Sequence, residues 1–583
     1  MQLNLNRHSR TRLLLAGVLL IGGIFILRLF WLQVIQHSYY VAQANAEHIA
    51  KFTLPAQRGQ IYVHDGSVLQ PIVLNEPSYL VYGDPQEITD KQAVIDAVKE
   101  VAGGNAVSGF EARLDSRTLQ YVVLAKALTK SQAELLKKKE LAGVGFQQGE
   151  QRVYPEGQLA SQLLGYVNGD GQGQYGIEGA LNDRLKGTPG ELKAVTDVRK
   201  IPLTISDDYV NKPAKNGDNL VLTVDRNIQA YAESALKSGL DRAKATKGSI
   251  VILDPNNGHV LAMANYPSYD PSHYSDVTDY NLFQNKAVSE PFEAGSIIKT
   301  LTMGAGLDSG AVTVDTTFNN TGSFKVDDTT IKNVEEDPVN AHATMTDILH
   351  YSLNTGVDFV LSQMGGGTIN QKARDTLYNY FTDHFRLGQD TGIEQADEQP
   401  GVIHPPDQGN GLNVMYANMA FGQSMQVTSL QTAAAFAATI NGGNYYQPTL
   451  VDGVLREDGS TASTEPKVVR ANVLRPEVSR QLHDMIVTAR QVGALGGKDR
   501  SGYTVGGKTG TAQIIDPKTG KYTNENSIGS YLGFGGGVTP RYVIMVKVDD
   551  SHIGGYAGTT AAGPIFTDVS NWLLSYLQVA PNA

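Results

Sequence analysis

Ser296 and Lys299, three residues apart, are the residues of this sequence best suited to covalent chemistry. Gly295 precedes the pair and an apolar run, 297–307, follows it, which predicts a loop leading into a buried helix. Positions i and i+3 of a helix lie on one face, so the two side chains are expected to be neighbours. A lysine whose pKa is lowered by burial or by nearby cations can accept a serine proton. The pair therefore predicts a serine nucleophile with a lysine base.

The same spacing occurs at Ser234 and Lys237, where it predicts nothing catalytic. Asp225 is a suitable N-cap for a helix there, and Ile228 and Leu236 lie at helical spacing. This segment is predicted to be an amphipathic helix with both side chains in solvent. A Ser-x-x-Lys spacing is weak evidence by itself, and further motifs must support the pair at Ser296.

Two such motifs follow Ser296 along the chain. Ser352-x-Asn354 comes after a predicted helix, 345–350, and Lys508-Thr-Gly510 lies in a predicted strand, 505–511. Lys-Thr-Gly also recurs at 518–520 after a proline, where it is predicted to be a plain turn. Either motif alone is more often a turn or a helix end, so the evidence is the ordered combination of all three.

The composition of the chain argues against several classes of protein and of functional site. A chain of 583 residues predicts two or three domains, and a net charge of -11 argues against a nucleic-acid partner. Cysteine is absent, which excludes disulfides and thiolate metal sites and fits an extracytoplasmic protein. The 12 histidines form no H-x-H or H-E-x-x-H group, so we predict no metal and no cofactor.

The N-terminus predicts a membrane anchor. Residues 1–12 carry three arginines and no acid, and residues 13–35 are apolar except for Arg28 and Gln33. This length spans about 30 Å as a helix, and the arginines predict a cytoplasmic N-terminus with the rest outside. A cleaved signal peptide is the alternative, but its apolar core would be shorter and end at small residues.

The remaining chain predicts an α+β protein with two modules. Residues 36–240 form a mixed module without catalytic clusters, with an expected strand at 52–63 and helices at 91–102 and 129–139. The glycine-dense segment 165–176 lacks the context of a phosphate loop and is predicted to be turns.

Residues 241–583 are predicted to form the catalytic module. Its expected elements are a hairpin over 248–264, strands at 530–535 and 541–548, and a terminal helix at 567–577. The motif at Ser296 lies between the hairpin and the later strands.

The three motifs, in this order, are the set found in penicillin-binding proteins and serine β-lactamases. Other segments resemble the class B penicillin-binding proteins in particular. Those in the N-terminal module are Pro55-Ala-Gln-Arg58-Gly59-Gln-Ile61, Arg152-Val-Tyr-Pro155 and Gly173-Gln-Tyr-Gly-Ile-Glu178-Gly179. Those in the C-terminal module are Leu253-Asp-Pro, Leu261-Ala-Met-Ala, Asn285-Lys-Ala and Phe421-Gly-Gln.

The resemblance covers nearly the whole chain. It implies a membrane-anchored α+β protein with a pedestal module and a penicillin-binding transpeptidase domain, an antiparallel sheet covered by helices plus a helical subdomain. The implied activity is that of a monofunctional DD-transpeptidase that cross-links peptidoglycan. The modest N-terminal module and short tail favour a division enzyme over an elongation enzyme. Arg58 and Glu178 are expected to be structural.

The resemblance also implies a role for each site residue. Ser296 attacks a stem peptide ending in D-Ala-D-Ala, with Lys299 as general base. Ser352 relays the proton to the leaving nitrogen, and Asn354 contacts Lys299 and the donor peptide. Lys508 adds positive charge that favours neutral Lys299 and attracts the substrate carboxylate.

The third motif is expected to hold the substrate. Thr509, Gly510 and Thr511 would bind the donor peptide, and the backbone N–H groups of Ser296 and Thr511 would form the oxyanion hole. The implied partners are stem peptides, β-lactams as inhibitors, and a polytopic SEDS-type glycosyltransferase. The chain departs from the family pattern at Ala294, at Ser424 and at Tyr556-Ala-Gly558, and none of these departures removes a reacting group.

Four alternatives remain open at this point. A β-lactamase has no use for a tethered module of this size, and a β-lactam sensor would need more than about 12 cytoplasmic residues. A catalytically silent scaffold would have no need of all five reacting residues. A bifunctional class A enzyme would carry a glycosyltransferase motif in the N-terminal region, and none is recognisable.

Overall fold

The computed structural model describes residues 7–40, 49–195, 210–333, 337–515 and 522–582. The chain divides into two compact units. The smaller consists of residues 1–58 and 186–217, and the larger of residues 59–185 and 218–583.

The smaller unit begins with one long apolar helix. The α-helix Arg7–Phe30 continues into a π-helical turn, Trp31–Ile35. The stretch Ser9–Ile35 has a mean hydropathy of 2.6 and is long and apolar enough to cross a membrane. The helix therefore contains the predicted segment 13–35 and begins before it. The described residues of the unit also form a sheet of three antiparallel strands, in the spatial order Ile49–Leu54, Gly190–Val195 and Val210–Lys212.

The prediction of a single strand over 52–63 is wrong. One strand ends at Leu54, and a different strand, Ile61–Asp65, begins after a non-regular segment. Pro55 has no N–H to donate to a sheet ladder. A Cβ on Gly59 would lie 1.8 Å from the carbonyl oxygen of Asp218, so the backbone passes too close to another segment to stay in a strand.

One sheet of the larger unit has seven strands that come from distant parts of the sequence. We call it the pedestal sheet. In spatial order its strands are Thr461–Ser463, Val451–Leu455, Leu220–Asp225, Ile61–Asp65, Val68–Gly83 and Val122–Leu128, with Val144–Val153 also paired to Val68–Gly83. The sheet is therefore built from both predicted modules.

Short helices pack beside the pedestal sheet, and the two predicted helices are confirmed. Lys91–Ala102 begins after Asp90, whose side chain accepts a hydrogen bond from the Ala93 N–H, and Lys130–Lys137 begins after Thr129 in a capping box. The other short elements are Gly103–Asn105, Phe110–Arg113, Ser161–Leu164, Tyr166–Val167, Gly173–Gln174, Gly176–Ala180 and Asn182–Leu185.

A buried arginine joins three of the pedestal segments. Arg152 Nε donates to Glu178 Oε1 at 2.7 Å, and Arg152 Nη1 donates to Gly59 O and to Asn75 Oδ1, each at 2.7 Å. The side chains of Arg152 and Glu178 are 5% and 0% exposed. Because both charges are desolvated, removing either partner of the pair is costly.

Replacing Arg152 with methionine is expected to destabilise the larger unit strongly. The change removes the buried guanidinium that donates to Glu178 Oε1, and breaking a buried ion pair in this way costs about 3–5 kcal/mol. Denaturant unfolding followed by circular dichroism measures this loss. Arg226→Met is the matched control, because the pair of Arg226 and Glu156 is about one-third exposed on both sides and contributes about 1 kcal/mol or less. Equal losses in the two variants would contradict the expectation.

The central sheet of the larger unit has five antiparallel strands. In spatial order they are Val260–Tyr266, Lys247–Leu253, Pro540–Ser551, Tyr522–Gly536 and Thr504–Ile515. The hairpin and the later strands predicted from sequence are confirmed. The last strand, which carries the third motif, lies at the edge of the sheet.

Alternating side chains of the central sheet pack into two hydrophobic cores. Ile250 and Ile544 pack towards the helices Arg226–Ala243 and Gly563–Tyr576. Their neighbours Val251 and Met545 face the opposite core, which contains Ser429–Ile440 and Pro476–Val492. This alternation is the period of two of a strand buried on both faces. The terminal helix begins before the predicted 567.

A helical subdomain stands beside the central sheet. Its helices are Lys286–Ser289, Lys299–Asp308, Met345–His350, Asn354–Met364, Gln371–Asn379 and Leu412–Ala420. Small strand pairs are Thr317–Asn320 with Asn340–Thr344, Ser323–Val326 with Thr329–Lys332, and Tyr445–Tyr446 with Val468–Arg470. 3₁₀ and π turns lie at Pro271–Asp276, Tyr280–Phe283, Gly295–Ile298, Tyr380–His384, Gly496–Lys498 and Gly558–Ala562. The predicted α+β fold is confirmed.

Candidate active site

Ser296 lies on a short turn that is fixed by glycines. It belongs to a 3₁₀ turn, Gly295–Ile298, that runs directly into the helix Lys299–Asp308, as predicted. The Gly295 N–H donates to the Gly422 carbonyl oxygen at 3.0 Å, and a Cβ on Gly422 would lie 2.2 Å from the Gly295 carbonyl oxygen. This close backbone approach needs glycine and holds the serine at the mouth of the helix.

Lys299 joins the first motif to the second. Its ammonium group is fully buried and donates to Asn354 Oδ1 at 2.7 Å, to Ser352 Oγ at 3.2 Å and to the Ser352 carbonyl oxygen. In the described part of the chain no hydrogen bond joins it to the Ser296 hydroxyl. Catalytic hydrogen bonds often form only when substrate is bound, so the lack of this bond is compatible with proton transfer from Ser296 to Lys299.

Ser352 reaches Lys299 because of an unusual backbone conformation. Its φ is 58°, in the left-handed region that non-glycine residues rarely adopt. The residue lies between two helices, Met345–His350 and Asn354–Met364. The sharp turn directs both its carbonyl oxygen and its hydroxyl at Lys299, which offsets the strain with two hydrogen bonds.

Burial favours the uncharged form of both lysines of the site. Desolvation holds the pKa of Lys299 well below its usual range, and the nearby charge of Lys508 lowers it further. Lys508 is 4% exposed, and burial lowers its pKa to about 7. Lys299 is therefore able to accept a proton at neutral pH.

The third motif forms one wall of the site at the sheet edge. Lys508 Nζ donates to the carbonyl oxygen and the hydroxyl of Thr509, at 3.1 and 3.3 Å. A Cβ on Gly510 would lie 2.2 Å from Ser530 Oγ, and a Cβ on Gly295 would lie 3.0 Å from the Thr511 carbonyl oxygen. The strand therefore runs directly against the serine turn.

A cleft of about 540 Å³ opens between these elements. Of the predicted residues it is lined by Ser296, Ser352, Asn354, Thr509 and Thr511. Lys299 and Lys508 lie behind this surface, at 0% and 4% exposure. Of the predicted residues, the site thus presents hydroxyls and an amide to the cleft and keeps its two lysines in the protein interior.

Sequence reasoning gave several wall residues no role at the site. They are Asp337, His350, Tyr351, Phe421, Gln423, Tyr556 and Thr559. Phe421 and Gln423 lie in a segment quoted for the family resemblance, Tyr556 lies in a departure from it, and Tyr351 adjoins the second motif, so the sequence carried a usable signal for these four. Asp337 and Thr559 belong to no pattern, and only the folded chain brings them to the cleft.

The departures from the family pattern leave the site intact. Ala294 is buried at 1% exposure, next to Gly295. Ser424 adopts a φ of 56°, and its N–H donates to Glu293 Oε1 at 2.9 Å, which helps to hold a conformation that glycine adopts more easily.

The control serine behaves as predicted. Ser234 and Lys237 are exposed on the helix Arg226–Ala243, after Asp225, whose side chain accepts from the N–H groups of Asn227 and Ile228. The second Lys-Thr-Gly, 518–520, lies outside the described residues. Within the described ranges, no group of three or more His, Asp or Glu side chains suits a metal ion.

Two family models match the chain. The penicillin-binding protein transpeptidase domain matches residues 248–571, more than half of the chain, and the penicillin-binding protein dimerisation domain matches residues 53–222. The chain belongs to the class B penicillin-binding proteins. The family and the two-domain fold inferred from the motifs are therefore confirmed.

Relatives of this penicillin-binding protein cover its length. Peptidoglycan D,D-transpeptidase FtsI of Escherichia coli K12 is 28% identical over 583 residues, covering 98% of this chain and 92% of the relative. Penicillin-binding protein PbpB of Mycolicibacterium smegmatis is 30% identical over 465 residues, covering 78% and 69%.

Solved structures share the fold. A peptidoglycan synthetase from Bifidobacterium adolescentis has a TM-score of 0.71 and 26% identity, covering 92% of this chain and 98% of that one. Penicillin-binding protein 3 of Mycobacterium tuberculosis, complexed with aztreonam, has a TM-score of 0.68 and 24% identity, covering 91% and 98%. At 24% identity, the second comparison shows only that the two chains share a fold.

Proposed function

We propose that this penicillin-binding protein is a serine DD-transpeptidase that cross-links peptidoglycan stem peptides through an acyl-enzyme on Ser296. The observation that carries the proposal is Lys299, a fully buried lysine bonded to Ser352 and Asn354 behind a cleft lined by Ser296. Relatives along nearly the whole chain are named peptidoglycan D,D-transpeptidases, which supplies the reaction.

Acylation begins with attack of Ser296 Oγ on the penultimate carbonyl carbon of the donor peptide. Neutral Lys299 takes the serine proton as the new C–O bond forms. The N–H groups of Ser296 and Thr511 hold the developing oxyanion, and each N–H group stabilises it by about 3–4 kcal/mol. The proton then passes through Ser352 to the leaving nitrogen, and D-alanine departs.

The second half-reaction reverses these steps with a different nucleophile. An amine of a neighbouring stem peptide gives its proton to Lys299, attacks the ester carbonyl and releases Ser296 with its proton restored. Asn354 stays bonded to Lys299 and offers its amide to the donor backbone. Because neither a metal nor an organic group takes part, the proposal needs no cofactor.

The donor peptide is held along the edge strand Thr504–Ile515. Thr509 and Thr511 are half-buried at the cleft wall, and their hydroxyls suit the terminal carboxylate of the donor. Gly510, between them, binds the donor through its backbone, and its missing side chain lets the strand lie against Ser530 and the serine turn. Lys508, behind them, contributes a positive charge.

Donor binding is expected to weaken as pH rises through 7. Burial lowers the pKa of Lys508 to about 7, so its charge is present below that pH and lost above it. From one unit below to one unit above this pKa, the protonated fraction falls about tenfold, and the affinity for a carboxylate should fall by up to that factor. Equilibrium binding of a D-Ala-D-Ala peptide over this range measures the effect. The same peptide with a C-terminal amide is the control, and identical pH profiles for the two would contradict the expectation.

The same proposal places the protein in the membrane. The segment 13–35 is its single span, residues 1–12 are cytoplasmic, and residues 36–240 and 241–583 are an extracytoplasmic pedestal and transpeptidase domain. A polytopic SEDS-type glycosyltransferase contacts the anchor and pedestal, in a division-type complex. Support comes from the arginines before the apolar run 13–35 and from the length of the stretch Ser9–Ile35.

Labelling with a fluorescent penicillin tests the proposal. The full chain, solubilised in detergent, is expected to form a covalent adduct that survives for many minutes after excess penicillin is removed. A β-lactamase would release the label rapidly, because it activates water against its acyl-enzyme. A folded chain that takes no label from penicillin and does not cross-link stem peptides would contradict the proposal and favour a silent scaffold.

A further inference from the structure

Asp337 is the only acid among the residues that line the cleft in the described part of the chain. The proposed reaction gives it no task. Its side chain is half-buried at the cleft surface, and an aspartate in contact with solvent is ionised at neutral pH. The cleft surface therefore presents a negative charge, whereas both lysines of the site are buried behind it.

Hydrogen bonds tie the backbone at Asp337 to the helix of the second motif. The carbonyl oxygen of Pro338, the next residue, accepts a hydrogen bond from Asn320 Nδ2 at 2.7 Å. Asn320 Oδ1 accepts in turn from Thr355 Oγ1 at 3.0 Å, and Thr355 lies in the first turn of the helix Asn354–Met364. Asp337 therefore belongs to the wall of the cleft that the second motif forms.

The two walls of the cleft differ in charge. The edge strand offers the hydroxyls of Thr509 and Thr511, with Lys508 behind them, and this wall suits a carboxylate. The wall of the second motif offers the carboxylate of Asp337, which suits a cationic donor. A substrate that fits both walls has an anionic end and a cationic group.

The charge of Asp337 also reaches the reacting groups. Burial lowers the pKa of Lys299 and of Lys508, and the charge of Asp337 opposes this lowering at both lysines. The two lysines do not exclude a cation from the cleft. Lys299 is held in its uncharged form, and Lys508, with a pKa of about 7, is only partly charged at neutral pH.

We propose that Asp337 binds an ammonium group of the stem peptide and so selects peptides whose amine is free. The inference rests on the proposed function, in which an amine of one stem peptide attacks the acyl-enzyme made from another. Because donor and acceptor are peptides of the same kind, each carries such an amine. A carboxylate has about four acceptor sites, so Asp337 can hold the ammonium group beside the contacts it already makes.

The test is how strongly synthetic stem peptides slow labelling of the detergent-solubilised full chain by a fluorescent penicillin. The probe is a pentapeptide ending in L-lysyl-D-alanyl-D-alanine, in which the lysine side chain is the only amine. The same peptide with that amine acetylated is the reference. In the wild-type chain the free-amine peptide is expected to compete at a concentration about threefold to tenfold lower, because it alone can form the ion pair.

Asp337→Asn is nearly isosteric and removes the charge, so both peptides should compete equally in this variant. Asp337→Glu should restore the preference for the free amine, and Asp337→Lys should reverse it. Because each result is a ratio of two peptides on one variant, any effect of the substitution on Lys299 or Lys508 cancels.

Asp328→Asn is the matched control. Asp328 is an exposed acid in the turn between the strands Ser323–Val326 and Thr329–Lys332 of the same subdomain, away from the cleft lining. The substitution removes the same charge from the chain, and its preference for the free amine should equal that of the wild-type chain.

A second pair of peptides distinguishes the two sources of the ammonium group. A tripeptide that ends at the lysine has no D-Ala-D-Ala and can bind only as an acceptor. A preference for the free amine in the tripeptide pair assigns Asp337 to the acceptor, and a preference confined to the pentapeptide pair assigns it to the donor. Either result supports the proposal.

The remaining outcomes bear on different claims. A wild-type chain that is labelled by penicillin, but whose labelling is slowed equally or not at all by free and acetylated peptides, overturns the inference and leaves the proposed function standing. A preference that persists in folded Asp337→Asn overturns it as well. A wild-type chain that is never labelled contradicts the proposed function itself.

Discussion

Replacing Ser296 with alanine is expected to abolish covalent labelling by penicillin, with a loss of at least about 10⁴-fold in acylation rate. Alanine removes the only atom that forms the acyl bond, and Lys299 lies too deep behind the cleft to replace it. The fold should be unchanged, because the turn depends on backbone contacts between Gly295 and Gly422. Stopped-flow labelling and thermal unfolding measure the two quantities.

Ser234→Ala is the matched control for this loss. Ser234 has the same spacing to a lysine, Lys237, but both side chains are exposed on a surface helix. This variant should label at the wild-type rate. Labelling that persists in Ser296→Ala would assign the acyl bond to another residue and remove the basis of the proposed mechanism.

Replacing Lys299 with methionine is expected to slow acylation by about 10²–10⁴-fold, the usual contribution of a general base. The same change should leave the melting temperature unchanged or raise it. Burying an amine costs free energy that methionine avoids at a similar volume. Ser352 and Asn354 lose their hydrogen bonds to the lysine, but both line the cleft, where water can bond to them instead. A slower acylation together with an unchanged or higher melting temperature is the result expected of a residue that serves the reaction at a cost in stability.

Rate and stability are measured on the same preparation, by penicillin labelling and by thermal unfolding. Lys237→Met is the control, because Lys237 is exposed and should tolerate the change without effect on the rate. A Lys299→Met chain that unfolds at much lower temperature would assign the lysine a structural task through Ser352 and Asn354. A variant that labels at the wild-type rate would remove it from the mechanism.

Local signals predicted local structure well. The helix Lys91–Ala102 matches its prediction residue for residue, because an aspartate N-cap and a following glycine bound it in the sequence. The helix Met345–His350 is likewise fixed by its capping box of Thr344 and Asp347. The strand predicted for 52–63 failed because the break at Gly59 is imposed by Asp218, a residue that is distant in the sequence.

The same distinction holds at the candidate site. Ser296 and Lys299 are close in the sequence, so helical spacing alone predicted that they act together. The approach of Lys508 to the other two motifs depends on how the central sheet meets the helical subdomain, and only the family resemblance supplied it.

The pedestal sheet has a consequence for how the chain is made. Its strand Leu220–Asp225 is buried along its whole length and pairs on one side with Val451–Leu455. During synthesis or export, that edge stays open until about 230 more residues have emerged. An open apolar edge invites pairing with other chains. A fragment ending near residue 240 should therefore aggregate, and we expect the nascent protein to need chaperone protection until the strand Val451–Leu455 has emerged.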